Sequence, residues 1–298
     1  MLDSIKTTFT ISDLEKMSGI SAHSIRIWER RYNLLDPLRT EGNIRRYSNE
    51  DLKKLLNISL LLTAGYKISD LATYSEQELN ITVNSRLTTI QGHQHEINEL
   101  KMAMLNFDTR LFEDTYNRLI NSMPFTDLFL QVMIPFLEHI GTLWQTNSIT
   151  VAHEHYISNL LRQKLFYQIE NLPKPNIHEK ELFILFLPLN EMHELGLLFI
   201  HYILLLNGRR SIYLGPSVGL PSLEGTPSAQ QRVFISYLTF SPTESELPEF
   251  LKDIRKTVLR TGDQFYGVGH RVIGYAMNKT WKNIFLFSSL KDLLNQIK

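Results

Sequence analysis

The chain reads as a multidomain protein of mixed α and α/β class, with an N-terminal winged helix-turn-helix, a middle four-helix bundle and a C-terminal doubly wound, Rossmann-like domain. Three observations predict it. An arginine-bearing helix followed by a glycine hairpin opens the chain. Residues 96–169 keep helical periodicity throughout, and from residue 182 short apolar runs alternate with helical stretches. The 298 residues give room for about two domains of ordinary size. A composition 43% hydrophobic and 21% charged is that of a folded, soluble chain. There is no cysteine, which excludes disulfides, thiolate zinc sites and a cysteine nucleophile. The first six residues lack the apolar run of a signal peptide, and no apolar run approaches the length of about 20 residues that spans a bilayer. The densest, residues 195–206, is interrupted by His201 and reads as a buried helix. The expectation is a cytoplasmic protein with no membrane partner.

At the N-terminus, Ser12 with Glu15 three residues on reads as a capping box, Gly19 closes that helix, and Ser21 caps the next. Leu14, Met17, Ile20, Ile25 and Trp28 form the expected small core. Residues 39–47 alternate around Gly42-Asn43, a hairpin turn signal, and read as a wing. Asn49-Glu50-Asp51 caps a helix over 52–63, Gly65 breaks it, and 68–71 opens another. The winged-helix domain is taken as 1–78 and the polar stretch 79–94 as a linker. The bundle occupies 95–172, with breaks near Phe107-Asp108, Ser122-Met123-Pro124 and Asn147-Ser148. Leu172-Pro173-Lys174-Pro175 marks the next boundary, and 173–298 is the α/β domain. There, 182–187 is a continuous apolar run suited to a buried parallel strand. The interval 215–231, rich in Gly and Pro, fits no regular helix.

Charge is uninformative in bulk and informative locally. Lys plus Arg and Asp plus Glu each number 31, so the formal net charge is zero. Yet six arginines (Arg26, Arg30, Arg31, Arg39, Arg45, Arg46) stand within residues 21–48 against three acids. Arginine forks match phosphate oxygens and guanine edges, so this cluster is the footprint of a reader of double-stranded DNA. With His23 and Ser24 on the same helix and Tyr47 at the end of the wing, these are the candidate DNA-binding residues. The competing account is an ordinary helix surface whose arginines pair with Glu29 and Asp36.

The first 75 residues resemble the MerR family of winged-helix transcription regulators. The match runs through Arg26-x-Trp28-Glu29-Arg30-Arg31-Tyr32, then Leu34-Leu35-x-Pro37-x-Arg39-Thr40, then Gly42-x-x-Arg45-Arg46-Tyr47-Ser48. The resemblance implies that residues 21–31 enter the major groove and that the wing lies on the backbone of operator DNA. Trp28 is expected in the core.

Further on, Glu191-x-His193-x-x-Gly196 follows the first apolar strand, at the carboxyl edge where open α/β sheets bind ligands. Ser236-x-Leu238 and Gly267-x-Gly269 come later. Order and spacing resemble cobalamin-binding domains. There, a loop of this kind supplies the lower axial cobalt ligand, which implies His193, with Glu191 holding its imidazole and Gly196 completing the motif. The Ser-x-Leu segment and the glycine pair line the slot for the nucleotide tail, which implies Ser236, Leu238, Gly267 and Gly269. Trp144 followed by Glu154-His155 resembles the signature of MerR-type photoreceptors that use adenosylcobalamin. The tryptophan then covers the upper corrin face, and Glu154 and His155 meet the adenosyl group.

Four positions depart from those patterns. Residue 191 is Glu where the motif has Asp, Val268 stands between the two glycines, 215–231 lacks a regular helix, and Gln145 stands where light-responsive members carry a histidine. The expected function is a sequence-specific DNA-binding regulator, not an enzyme. It senses adenosylcobalamin, forms a homo-oligomer (a dimer or a tetramer), and responds to light through a change of oligomer. Two alternatives stay open: a regulator whose degenerate domain binds no cobalamin, and a corrinoid carrier for methyl transfer. Against the carrier, the chain has a winged helix and no catalytic barrel.

Overall fold

The computed structural model describes residues 8–86, 92–145, 148–173, 180–276 and 282–297. Two compact units divide the chain, Met1–Ile157 and Ser158–Lys298.

The first unit opens with α1 (Ile11–Ser18) and α2 (Ala22–Tyr32). Two capping boxes overlap in the sequence, and the earlier one operates. Thr10 Oγ1 accepts from the Asp13 amide, and the Asp13 carboxylate accepts from the Thr10 amide, so the helix starts before Ser12. Gly19, at φ 74°, stops α1 in the left-handed conformation, and Ser21 caps α2 as expected. Leu14, Met17, Ile20 and Ile25 are buried, whereas Trp28 is only half-buried and is not the core residue the sequence suggested. The hairpin is present as β1 (Leu38–Arg39) paired antiparallel with β2 (Arg45–Arg46). Asn43 supplies the positive φ that the tight turn needs.

Ser48 and Asp51 then form a second capping box for α3 (Asn49–Thr63), one turn-start earlier than expected. After α4 (Ile68–Leu71) comes α5 (Glu76–Arg86), a helix where a linker over 79–94 was expected. Leu79 and Val83 are 0% and 1% exposed, so α5 packs against α3 rather than hanging between domains. Residues 87–91 of that linker lie outside the described residues.

Four helices follow, as the periodicity predicts. They are α6 (Gln94–Asn106), α7 (Thr109–Ser122), a continuous helix over 125–145, and α10 (Val151–Glu170). Asp108 caps α7 by accepting from the Leu111 amide at 2.9 Å. The third helix runs as α8 (Phe125–Leu128), a wide π-turn at Phe129–Met133, and α9 (Ile134–Gln145). The wide turn immediately precedes Pro135, which has no amide proton to give and whose ring would strike the carbonyl one turn back. His153, buried at 1% exposure, takes a hydrogen bond network with Thr150 at the start of α10 and stacks on Phe107.

The second unit contains a five-stranded parallel sheet in the order β4-β3-β5-β6-β7. Its strands and helices alternate along the chain: β3 (Glu181–Phe186), α11 (Leu195–Leu206), β4 (Ser211–Gly215), β5 (Gln231–Tyr237), α12 (Leu247–Asp253), β6 (Gln264–Val268), α13 (Ile273–Ala276), β7 (Ile284–Leu286) and α14 (Leu290–Ile297). Side chains alternate across a strand. Leu182, Ile184, Phe186, Phe234 and Phe265 therefore share one face with Leu247 and Leu251 of α12, while α11 and α14 cover the other. This is the doubly wound architecture the sequence predicts. The 215–231 interval holds a single 3-10 turn, Leu220–Gly225. At the amino edge, Arg232 and Asp263, 3% and 5% exposed, form a buried bidentate pair that ties β5 to the turn before β6. The strand order reverses beside β3, so the loop after β3 leaves from the topological switch point. No helix among the described residues is long and apolar enough to cross a membrane.

Candidate functional site

On α2, His23, Arg26, Arg30 and Arg31 are exposed, and Ser24 is partly buried with its hydroxyl 2.9 Å from that of Ser21. Arg39 is exposed on β1 and donates to Asn43 Oδ1 at 2.5 Å, and Arg46 is partly exposed on β2. Among the described residues, Arg45 is the one of the six arginines that pairs with an acid, its Nε 3.1 Å from Glu29 Oε2. The competing account of a self-neutralised surface thus holds for one position.

Tyr47 needs correction. It is 0% exposed, so it cannot touch DNA as this fold stands. Its backbone pairs with Phe9, and its phenol donates to Glu29 Oε1 at 2.5 Å. Burial, and then the Glu29 carboxylate, raise the phenol well above its ordinary pKa. Glu29 therefore receives both Arg45 and Tyr47 and locks the wing to α2. What faces outward is one rigid basic surface made of a helix and a hairpin.

At the carboxyl edge of β3, the loop to α11 places His193 with its side chain 55% exposed and Glu191 fully buried. Glu191 Oε1 accepts from the His193 amide at 2.9 Å and from His193 Nδ1 at 2.6 Å. Its other oxygen accepts from the amides of Thr239, Phe240 and Ser241 at 3.1, 2.5 and 2.9 Å. Burial alone would raise this carboxyl, but the hydrogen bonds from His193 and from the 239–241 backbone outweigh it and hold the pKa at about 2. The glutamate in place of aspartate has a structural use, because the longer arm joins the β3 loop to the β5 loop. With Nδ1–H committed to the carboxylate, Nε2 carries the lone pair. Leu189, Met192 and Phe240 are exposed at 57%, 61% and 56% in these two loops, and the Phe240 ring lies 6.4 Å from that of His193. A basic nitrogen in a setting of exposed apolar side chains suits a large, flat, metal-bearing ring.

The expected tail-slot residues are all inside the second unit. Ser236 is fully buried and donates to the Phe186 carbonyl at 2.6 Å. Leu238 is 0% exposed. A Cβ on Gly267 would meet Leu286 at 2.8 Å, and one on Gly269 would meet the Leu238 backbone at 2.5 Å. These residues are buried or part-buried and pack against the chain's own groups. Gly196 is likewise covered, by the ring of Tyr237. The oriented imidazole of His193, with its exposed apolar neighbours, has the donor chemistry to hold a metal-bearing ring. In the first unit, Trp144 is 47% exposed near the end of α9, and the Glu154 and His155 side chains are 29% and 68% exposed on α10. The side chain of Gln145 lies outside the described set. Sequence reasoning missed Tyr237, the apolar setting of His193 and the five-bond role of Glu191. The first had no motif to flag it, and the last rests on contacts nearly 50 residues apart.

Residues 9–78 match the family described as MerR HTH family regulatory protein, and residues 96–167 match the B12 binding domain. The HTH-type transcriptional regulator GlnR of Bacillus anthracis is 38% identical over 110 residues, covering 37% of this chain and 82% of GlnR. The chain belongs to the MerR HTH family. This MerR-family chain also carries a B12-binding domain, and that match falls on the bundle formed by α6 to α10, the part read as the cap. The HTH-type transcriptional repressor CarH of Myxococcus xanthus is 27% identical over 245 residues, 80% of this chain and 81% of CarH. Among solved structures, the monomethylamine corrinoid protein of Methanosarcina barkeri matches with a TM-score of 0.50 at 13% identity, over 68% of this chain and 97% of that one. At that identity it supports the fold alone.

Proposed function

We propose that this chain is a DNA-binding transcription regulator whose C-terminal part senses a corrinoid. His193 would ligate the cobalt of that group, and Trp144, Glu154 and His155 would meet an adenosyl group on it. The single observation that carries the sensory half is the Glu191–His193 pair, a buried ionised carboxylate fixing the tautomer of an exposed imidazole at the switch point of the sheet. The bound group supplies a cobalt centre for the imidazole to ligate. The chain's own residues orient the imidazole, surround it with apolar side chains and connect its loop to the β5 loop. The domain order that goes with this reading is a winged-helix domain that includes α5, then the helical bundle, then the α/β domain. The location is the cytoplasm.

The DNA half rests on the rigid arginine surface. Arg26→Ala, and Arg45→Ala combined with Arg46→Ala, are expected to weaken operator binding. A bidentate base contact is worth about 1–3 kcal/mol, and each phosphate contact removed lowers the salt slope by about one. Unchanged affinity and unchanged salt dependence in a gel-shift titration would refute the assignment.

The output is a change of homo-oligomer, to a larger assembly with adenosylcobalamin in the dark and back in the light. A ligand shifts an assembly only through differential affinity for its two states, and a larger assembly binds repeated DNA sites with greater avidity. Apo, dark-loaded and illuminated samples are therefore expected to differ in mass by size-exclusion chromatography with light scattering. Three equal masses with equal operator affinities would sink the switch.

A further inference from the structure

Phe240, the ring beside His193, is held from two sides. Glu191, in the β3 loop, accepts its amide proton at 2.5 Å. Arg271, in the loop after β6, donates through Nε to its carbonyl at 3.1 Å. The Arg271 amide also donates to the Leu238 carbonyl at 3.0 Å, which fixes the β6 loop against the end of β5. The guanidinium carbon lies 5.9 Å from the centre of the Phe240 ring, and that ring lies 6.4 Å from the His193 imidazole. The loops after β3, β5 and β6 are thus joined, and Arg271 stands one aromatic ring away from the imidazole offered to the metal.

Across residues 187–194, 238–246 and 269–272, Arg271 is the one Lys or Arg. Its Nε is used by Phe240, and among the described residues its ion-pair partner is Glu244, 4.0 Å from Nη1. The Glu244 side chain is 83% exposed, so that pair is long and screened by solvent. The other carboxylates closest to His193 are committed elsewhere, Glu191 to five donors and Glu194 to Arg162 and Tyr213. The Arg271 side chain is 23% exposed, and its two Nη groups keep donors for a partner outside the chain. A guanidinium stays charged at any physiological pH, and its planar fork matches the oxygens of a phosphate.

We infer that Arg271 binds the phosphodiester of a nucleotide-bearing corrinoid, which makes it a specificity-determining residue of this domain. The inference rests on the corrinoid reading above. The rim of a corrin ring carries neutral amides, whereas the nucleotide loop adds a phosphodiester with one negative charge. Adenosylcobalamin has that group and adenosylcobinamide lacks it, with the same adenosyl group on the metal. Both can use His193 and its apolar setting, and only the first gives Arg271 an anion to hold.

The test uses the full-length apo protein in the dark, with adenosylcobalamin and adenosylcobinamide as probes and equilibrium dialysis as the readout. Arg271→Gln keeps an N–H donor but no charge. It is expected to lower adenosylcobalamin affinity about tenfold, or about 1.4 kcal/mol, and to change adenosylcobinamide affinity by less than about threefold. Arg271→Lys keeps the charge and loses the fork, so its loss for adenosylcobalamin is expected near threefold, again with adenosylcobinamide unchanged. Comparing each variant with wild type on each ligand cancels whatever the two corrinoids differ in elsewhere. Equal losses for both corrinoids in Arg271→Gln mean that Arg271 only holds the Phe240 loop, and overturn the inference. Unchanged affinity for both overturns it too. If the glutamine variant does not fold, the lysine variant decides by the same comparison. These outcomes leave the corrinoid reading standing, whereas wild type that retains neither corrinoid overturns that reading, and the inference with it.

Discussion

His193→Ala is expected to reduce corrinoid affinity by more than about a hundredfold, because removing even a partner of a metal-ligating histidine typically costs about 10–100-fold. Any complex that remains is expected to show a shifted visible spectrum, since the nitrogen donor below the metal is gone. The side chain is half-exposed, but its Nδ1–H satisfies the buried Glu191 carboxylate, so the variant should lose some thermal stability while remaining folded. A loss of binding in a protein that stays folded, with the spectrum of any residual complex shifted, locates the ligand at His193. Equal affinity with an equal spectrum would mean that the imidazole is a surface group and that any corrinoid is held elsewhere.

Much of this molecule was legible in its sequence where the signal is local. The wing turn is carried by Gly42-Asn43, the bundle by helical periodicity and the parallel sheet by runs such as 182–187. Misreadings came from choices that local pattern leaves open. Thr10-x-x-Asp13 and Ser12-x-x-Glu15 are both acceptable capping boxes, and tertiary packing selects the first. The polar residues of 79–94 suggested a linker, yet two apolar side chains, Leu79 and Val83, suffice to dock α5 on α3. Tyr47 sits in an arginine run and was read as part of the DNA surface. Its pairing with Phe9, 38 residues away, draws it inside. At the sensory site, the Glu-x-His pair was visible because its two members are neighbours. Tyr237 against Gly196 was not, because that contact exists only once β5 has been laid beside β3 and α11 has crossed over it.

Glu191→Gln is expected to lower folding stability by about 3 kcal/mol at neutral pH and to flatten the acid limb of the stability curve. The wild-type carboxyl is held at about 2 in the folded chain against an ordinary value of 4.5, so the unfolded state takes up its proton first as pH falls. The contribution is therefore complete above about pH 4.5 and is lost as pH drops through about 2, and a shift of roughly 2.5 units corresponds to about 3 kcal/mol. Glutamine keeps the shape but has one acceptor oxygen where the carboxylate has two. It cannot accept from the three amides of 239–241 and from both His193 donors, so at least one buried donor is left unpaired. Denaturant unfolding of both proteins between pH 6 and about pH 2.5 reads the result. The wild-type curve should fall more steeply, and the two should converge at the acid end. Parallel curves would show that Glu191 shares its proton with the unfolded state and is not the ionised clamp described here. Because the same carboxylate fixes the His193 tautomer, the variant should also lose about 10–100-fold in corrinoid affinity. A stability loss without that affinity loss would mean that the clamp holds the two loops together but does not prepare the imidazole for the metal.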